Sequence, residues 1–491
     1  MNSAWNRFET YTRRVRTLVF DINPTTGDAL NLTALQTVMQ FRPSAKDLLP
    51  NLRKFTYKAG RLPSVQALPP FLIFLGASIV KLKLLEITPM ALPDFLEHLT
   101  QKVPQVQYVR IEGTELSQTG SGALASSLIH LEKLRDLQVS AVSLTPAMWD
   151  TMAQHPSLLS AELSLPRFVP DAISFQPKAF TKLRNLAIQA DLGSLCSLLE
   201  SQNDLPTVTC VDIRGNVGDQ ERSYFHRLCE LLFQKLSDLA SVRLRGRTRP
   251  LPEGEPFGLE DFRPLLRCKS IQHFHLEHPC GVSMNMTEVA ELLDAWPCID
   301  TLALQYATFG RYSSGMIYGL KWTPPTLPLT VLDTVAEKAP QIRELRLVLN
   351  ASTAIDSTLG THQRQFERLQ ELEVTLSTVD QPKDVASYLA QRSKNRFSLK
   401  FLSPQKVQGD VLQKVDGEKA KWDQVVDYLD LLFDQKERLE QGFKLRMVEE
   451  RARLVQELGG VGARSRDKQV EMCVPFYGGR IIILSLPCPH E

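Results

Sequence analysis

The chain has 491 residues, which is too many for a single compact core of typical size. We therefore expect either several domains or an elongated array. It is 43% hydrophobic and 23% charged, as globular proteins are. Its formal net charge is +2, and this balance excludes the bulk electrostatic attraction that draws strongly basic proteins to nucleic acids or anionic membranes.

The amino-terminal segment predicts a short capping helix. Trp5, Phe8 and Tyr11 are three residues apart, which places them on one helical face that can cover the open end of a repeat array. The segment lacks the apolar run of a secretory signal, and no apolar run elsewhere approaches the roughly 20 residues that span a bilayer. We therefore expect an intracellular protein, in the cytoplasm or the nucleus, without membrane segments.

A recurring pattern, apolar-x-x-apolar-x-apolar, predicts a series of short strands. It starts at Val15, Leu52, Ile79, Val106, Leu134, Leu158, Leu183, Val208, Leu239, Ile271, Ile299, Ile342 and Leu369. Ten of the twelve intervals between these positions are 24–32 residues long. Six repeats have a proline two residues before the first apolar position, namely Pro50, Pro104, Pro156, Pro206, Pro297 and Pro340. Because proline cannot continue a helix, each strand is predicted to follow a helix and a turn.

Amphipathic segments precede many of these strands. Examples are Leu92–Gln101, Thr145–Gln154 and Thr287–Trp296, in which Thr145 and Thr287 are the expected N-caps. Arg396–Leu402 is predicted as the final edge strand. A strand this short cannot bury its apolar face alone, so neighbouring units must stack to complete the core.

These units resemble the leucine-rich repeat family, in its longer ribonuclease-inhibitor-like form, over roughly Val15–Thr375. The family's Asn, which bonds the turn backbone after the strand, has counterparts in Asn23, Asn216 and Asn350. The resemblance implies an α/β leucine-rich-repeat solenoid over residues 1–402. Its parallel strands would line the concave face and its helices the convex face.

The opening segment, with Trp5, Phe8 and Tyr11, also resembles the segment that follows the F-box in fungal F-box/leucine-rich-repeat proteins. That resemblance implies the substrate-recognition part of a ubiquitin ligase. The F-box itself does not occur in this sequence. We therefore expect a ubiquitin-ligase adaptor as a partner only if an F-box is missing from this gene model.

The carboxyl end is predicted to contain a long helix. Residues 403–418 are expected to be a polar linker, and apolar residues then recur at helical or heptad-like spacing over Lys419–Leu458. The helix either folds back onto the end of the repeats or forms a coiled-coil seam. Residues 459–491 are expected to be a disordered tail, in which Ile481–Leu486 is an aggregation hazard if it is unpaired.

Side chains alternate across a strand, so the residues between the inward apolar positions should lie on the concave face. Their charge changes from basic in the early strands to acidic in the late strands, which would orient a ligand of opposite polarity. The predicted partner-binding residues are Lys54, Lys81, Lys83, Tyr108, Arg110, Asp212, Arg214, Arg243, Arg245, His273, His275, Glu344, Arg346, Glu371 and Glu373.

Two of these residues raise the question of a metal site. His273 and His275 should point the same way, about 7 Å apart, a spacing that suits one metal ion. Neighbouring strands supply no further strong ligand, so a solvent-facing binding surface is the favoured interpretation. No nucleophile motif, zinc spacing or phosphate-binding loop stands out, and we expect no enzyme activity, cofactor or metal.

The sequence therefore predicts a protein-interaction module that holds a protein ligand on its concave face. One alternative is a stand-alone scaffold or adaptor that dimerises through Lys419–Leu458. Another is an RNA-associated solenoid that uses the basic residues, although the near-neutral charge disfavours nucleic acid. Phosphate binding would reveal itself through a steep loss of affinity with added salt.

Overall fold

The structure is a computed structural model. It describes residues 7, 10–21, 48–58, 72, 74–87, 92–113, 118–140, 145–164, 180–201, 205, 207–216, 221–236, 238–247, 255–278, 280–306, 325–352, 364–402, 410–461, 472–475 and 481–484. The chain forms two compact units, Met1–Tyr428 and Leu429–Glu491.

One parallel sheet of fourteen strands organises the first unit, and the order of strands in the sheet follows their order in the chain. The strands are β1 (Thr17–Asp21), β2 (Lys54–Lys58), β3 (Lys81–Ile87), β4 (Tyr108–Gly113), β5 (Asp136–Val139), β6 (Ser160–Ser164), β7 (Asn185–Asp191), β8 (Cys210–Asn216), β9 (Ser241–Arg247), β10 (His273–His278), β11 (Thr301–Tyr306), β12 (Glu344–Leu347), β14 (Glu371–Thr375) and β16 (Ser398–Leu402). Two short strands, β13 (Asn350–Ala351) and β15 (Thr378–Val379), pair separately. All thirteen pattern-based strands and the edge strand are confirmed, and each of the thirteen begins two residues after its first apolar position.

Helices alternate with the strands, so the predicted α/β repeat architecture is confirmed. They are α1 (Leu92–Lys102), α2 (Gln118–His130), α3 (Pro146–Gln154), α4 (Leu192–Ser201), α5 (Glu221–Lys235), α6 (Leu259–Phe262), a 3-10 helix (Arg263–Arg267), α7 (Met286–Ala295), α8 (Val331–Lys338) and α9 (Pro382–Arg392). Thr145 caps α3 as predicted, since its side chain accepts a hydrogen bond from the Met148 N–H. For α7 the predicted cap Thr287 is wrong: Asn285 is the N-cap, because Asn285 and Glu288 form a reciprocal capping box.

A repeated tight turn explains the proline marker. The Val106 N–H donates to the Val103 carbonyl over 3.2 Å, and the Ile299 N–H donates to the Trp296 carbonyl over 3.1 Å. Pro104 and Pro297 therefore occupy the second position of a four-residue turn, where the fixed φ of proline fits. The prolines act on the turn itself as well as ending the preceding helix.

The core lies between the strands and the helices. Phe274 and Leu276 are 0% and 1% exposed, and the Phe274 ring lies 5.3 Å from Phe262 and 4.6 Å from Trp296 between centroids. This confirms that the pattern residues of this strand point inward. We call the opposite side of the sheet, which carries the alternate residues, the outer face; it is the side predicted to be concave.

The long helix is α10 (Asp410–Val461), so the predicted linker over 403–418 is wrong from Asp410 onward. Trp422 is fully buried, and its indole Nε1 donates to the Ser377 carbonyl over 3.0 Å. Val415 packs against Leu376 in a small apolar cluster. The first turns of α10 therefore pack on the segment after β14, as the folding-back alternative predicts.

Both ends of the chain differ from expectation where the structure describes them. In the tail, β17 (Met472–Pro475) pairs antiparallel with β18 (Ile481–Leu484), so the first four residues of the predicted apolar run form a strand pair. At the amino terminus Tyr11 is 65% exposed, which does not fit a capping contact. Trp5 and Phe8, and likewise Asn23, lie outside the described residues. None of the described helices combines the length and apolar character that a bilayer crossing needs.

Candidate functional site

Every residue predicted to bind a partner lies on the outer face, and strand register aligns these residues in rows across the sheet. Lys54 of β2 is directly opposite Lys81 of β3, and Lys81 is opposite Tyr108 of β4. In the next row, Lys83 is opposite Arg110. This adjacency follows from the constant offset between each strand and its repeat pattern, and it places groups from distant parts of the chain about 4.8 Å apart.

Three lysines at the early end of the sheet form what we call the early cluster: Lys54, Lys81 and Lys83. Within the described part of the chain none of them forms an ion pair, whereas Arg110 is bonded to Glu112. The Lys81 ammonium lies 4.1 Å from the centroid of the Tyr108 ring, a cation–π contact. Burial raises the pKa of Tyr108, so its hydroxyl stays protonated and donates to Gln138 Oε1 over 2.7 Å.

The middle strands carry a branched ion-pair network. Asp212 Oδ2 accepts from Arg214 over 2.9 Å and from Arg245 over 2.8 Å. Arg214 also donates to Glu162 Oε1 over 2.7 Å. Arg243, opposite Asp212 in the register, has no ion pair among the described residues. Arg214 and Arg245 thus share the carboxylate of Asp212, and the positive charge of Arg243 has no ion-pair partner among the described residues.

The three histidines of β10 differ in burial and in the side of the sheet that they occupy. His273 Nδ1 is 3.1 Å from Thr301 Oγ1, but His275 is only 7% exposed, so its predicted exposure to solvent is wrong. Burial, together with Arg243, Arg346 and neighbouring cations, lowers the pKa of His275 to about 3 and keeps it neutral. His278 is the last residue of β10 and is buried 4.2 Å from the Phe257 ring, on the core side. Among the described residues no group of three or more His, Cys, Asp or Glu is placed to hold a metal ion.

At the late end of the sheet, the acidic residues are paired with cations. Arg346 contacts Glu344, Glu371 and Glu373 at 3.6, 3.6 and 3.5 Å, and Lys400 bonds to Glu371. Glu373 is only 3% exposed, again contrary to the expected accessible surface, and this burial raises its pKa. The predicted change from basic to acidic is therefore present in residue type. Among the described residues the late carboxylates Glu344, Glu371 and Glu373 have cationic ion-pair partners, whereas the lysines of the early cluster have no anionic ones.

Unsatisfied polar atoms concentrate on the same face. In the described part of the chain, the buried side-chain atoms without a hydrogen-bond partner are Asp212 Oδ1, Arg214 Nε, Arg245 Nε, His275 Nδ1, Gln305 Oε1, Arg346 Nε, Glu373 Oε1 and Thr375 Oγ1. All of them belong to outer-face positions of β8–β12 and β14. Because native proteins satisfy nearly all buried polar groups, these atoms need hydrogen bonds from water or from a ligand.

Sequence reasoning missed several outer-face residues. Gln138 and Glu162 occupy the same register row as Arg110 and Asp212, and Gln305 and Thr375 occupy the third outward position of their strands. The alternation rule already contained this signal, since it selected Arg214 and Arg245 at that third position. The same alternation places Gln138, Glu162, Gln305 and Thr375 on the outer face, so sequence alone was sufficient to find them.

Comparison with known proteins adds little to this description. No protein-family model and no curated protein matches the chain. Among solved structures, it is similar to the leucine-rich repeat-containing protein LegL7 from Legionella pneumophila, at 10% identity and a TM-score of 0.32, over 82% of this chain and 97% of that one. It is also similar to a chain of the Toll–Spatzle complex of Drosophila, at 13% identity and a TM-score of 0.28, over 74% of this chain and 54% of that one. These likenesses are distant, and the fold assignment rests on the strand order itself.

Proposed function

We propose that this chain is a protein-interaction module that binds a protein ligand on the outer face of its sheet, with the early cluster contacting an acidic segment of that ligand. The observation that carries this proposal is that Lys54, Lys81 and Lys83 lie on adjacent strands and form no ion pair with any residue that the structure describes. Binding by the repeat face also agrees with the sequence prediction of a concave interaction surface.

The arrangement of the early cluster is unfavourable without a ligand. Lys54 faces Lys81 and Lys83 faces Arg110 across neighbouring strands. Like charges in directly opposite positions destabilise a sheet, by about 0.2–1 kcal/mol for each pair. An acidic ligand would offset both repulsions with its own attraction to these cations, and the contact with Tyr108 already restrains Lys81, so less side-chain entropy is lost on binding.

The wider outer face favours a protein over a nucleic acid. Asp136, Glu162 and Asp212 interrupt the basic residues along the register rows, and the chain as a whole carries a formal charge of only +2. A phosphate backbone would meet repulsion at each of these carboxylates, whereas a protein can present mixed charge.

A titration with a defined acidic probe tests the proposal. The probe is a fluorescein-labelled octaglutamate peptide, and binding to the full chain is followed by fluorescence anisotropy. We expect the double variant Lys81→Glu/Lys83→Glu to bind at least about tenfold more weakly, which corresponds to about 1.4 kcal/mol.

The matched control carries the same charge change away from the outer face. Lys182 and Lys269 are exposed and lie in the turns before β7 and β10. Lys182→Glu/Lys269→Glu should bind the probe nearly as well as the parent. Equal weakening in both variants would refute a specific role for the early cluster. Tighter binding of single-stranded RNA, with a steep salt dependence, would favour the RNA alternative instead.

A narrower hypothesis, the substrate receptor of a ubiquitin ligase, is supported only by the resemblance of the amino-terminal segment. It requires an F-box encoded upstream of Met1. Mapping the 5′ end of the transcript tests it directly. An in-frame F-box would support the hypothesis, and a stop codon between any such segment and Met1 would contradict it.

The scaffold alternative is favoured by the exposed apolar residues of α10. Leu439, Phe443 and Val455 are 66%, 57% and 63% exposed in Leu429–Glu491. A coiled-coil seam would cover such residues, so a dimer in light scattering that Leu439→Glu/Phe443→Glu converts to monomer would support this role. A monomeric parent chain would contradict it.

A further inference from the structure

Three buried oxygen atoms on the late strands have no hydrogen-bond donor. Gln305, Glu373 and Thr375 are 1%, 3% and 1% exposed, and each carries an unpartnered side-chain oxygen. They belong to β11 and β14, which are separated in the sheet only by β12. We call these three residues and Glu277 the late site.

The contacts fix which atoms are left as acceptors. Gln305 Nε2 is 3.4 Å from Glu277 Oε1. Since an ionised carboxylate only accepts hydrogen bonds, the amide nitrogen must face Glu277, and Gln305 Oε1 is the free acceptor. Glu373 Oε2 is 3.5 Å from Arg346 Nη1, longer than a normal hydrogen bond, and Glu373 Oε1 has no partner.

The charges around these atoms are unbalanced. Four carboxylates, of Glu277, Glu344, Glu371 and Glu373, face two cations, Arg346 and Lys400, on β10–β16. On the neighbouring strand β9, Arg245 lies opposite Glu277 but is already bonded to Asp212, and Arg243 lies opposite His275. His275, in the same register row as Arg346 and Glu373, is buried and neutral and does not compensate them. An unpartnered acceptor in such surroundings is costly unless a donor is supplied.

We propose that the late site binds a cationic side chain of the protein ligand, the ammonium of a lysine or the guanidinium of an arginine. Both groups donate several hydrogen bonds and accept none, so either matches unpartnered acceptors such as Gln305 Oε1, Glu373 Oε1 and Thr375 Oγ1. This inference rests on the proposed function and names the chemistry of a second contact. The ligand would then place an acidic segment on the early cluster and a basic side chain on the late strands.

Entry of the cation requires a neighbouring side chain to move. Arg346 is suited to this, because its three carboxylate contacts are all 3.5–3.6 Å long. Shifting its guanidinium towards Glu344 and Glu371 would keep two of those contacts and release Glu373. The unpartnered Nε of Arg346 shows that its present position satisfies that side chain incompletely.

The experiment compares three labelled peptides, Gly-Gly-Arg-Gly-Gly, its lysine counterpart and its citrulline counterpart, in anisotropy titrations against the full chain. Citrulline keeps the shape of arginine and removes the charge. We expect the arginine or the lysine peptide to bind and the citrulline peptide to bind at least about tenfold more weakly. The stronger of the two cationic peptides identifies which side chain the site prefers.

Two nearly isosteric variants locate the binding. Glu373→Gln removes the charge and Thr375→Val removes the hydroxyl. Each variant should lower the affinity for the cationic peptide about fivefold or more. The control is Glu337→Gln, at an exposed position of α8. Equal affinity for arginine and citrulline peptides, no binding of either cationic peptide, or no difference between Glu373→Gln and Glu337→Gln would overturn the inference.

Failure of this inference is distinguishable from failure of the proposed function. Octaglutamate binding reports on the early cluster and should be unchanged in the control Glu337→Gln. If octaglutamate binds and the cationic peptides do not, the interaction face stands and the late site is wrong.

Discussion

The early cluster and the late site lie on the same face of one sheet, yet their side chains are in opposite situations. Lys54 is exposed and Lys81 and Lys83 are half-buried, all without an ion pair in the described part of the chain, whereas Glu373 and Thr375 are almost completely buried. Both arrangements are unfavourable for the protein without a ligand. The early cluster suffers repulsion between like charges, and the late site has acceptors without hydrogen-bond donors. A repeat fold can carry both, because each repeat contacts mainly its neighbours and the remaining repeats supply the stability.

The largest expected effect is at the core beneath the late strands. Phe274→Ala removes a fully buried ring that packs against Phe262 and Trp296 and should lower the free energy of unfolding by about 3–5 kcal/mol. Hydrogen exchange should show the loss of protection concentrated in β9–β12 and nearly unchanged protection in β2–β4. Equal loss across all strands would mean that the two regions are not independent.

Arg346→Leu should have the next largest effect, because it leaves the buried Glu373 without its cation. We expect the free energy of unfolding, measured by urea denaturation, to fall by about 3 kcal/mol. The control Glu373→Gln removes the charge and with it the need for a cationic partner. It should lower the free energy of unfolding much less than Arg346→Leu does. If Glu373→Gln were the more damaging variant, Glu373 would be a net stabilising ion and not an unmet acceptor.

The neutral His275 makes stability depend on pH. Its folded-state pKa of about 3 lies below its ordinary value, so below about pH 6.5 the unfolded chain binds a proton that the folded chain does not. The free energy of unfolding should therefore fall with decreasing pH between about 6.5 and 3, by up to about 1.4 kcal/mol per unit from this residue. His275→Gln should flatten that dependence in denaturation curves collected across the range. An unchanged slope would show that His275 is protonated in the folded protein.

The smallest expected effect is at the early cluster. Lys54→Glu converts the repulsion with Lys81 into an attraction and should raise the free energy of unfolding by about 0.2–1 kcal/mol. The same variant should weaken octaglutamate binding. Stability and binding would then change in opposite directions, as expected for a residue retained for its ligand. A less stable variant would contradict the repulsion.

The positions of the strands could be predicted from sequence because two local signals coincide. The apolar pattern fixes which residues of Phe274–Leu276 face inward, and Pro104 and Pro297 mark the turns before their strands. The outer-face membership of Lys81 or Glu373 follows from alternation alone.

Burial and pairing on the outer face could not be predicted in the same way. His275 occupies a position equivalent to that of Lys83, but one is buried and the other is half-exposed. The difference depends on what surrounds each side chain in three dimensions, and a pattern of single residues contains no such information. The start of α10 at Asp410 was missed for a related reason, since the residues before Trp422 are mostly polar.

Lysine footprinting tests most directly where the ligand binds. The full chain is acetylated briefly with and without octaglutamate, and the modification of each lysine is quantified by mass spectrometry. The proposal predicts that Lys54, Lys81 and Lys83 become protected while the exposed Lys182 and Lys269 keep their reactivity. Protection that is equal at all five lysines, or confined to Lys182 and Lys269, would contradict a binding site on the outer face.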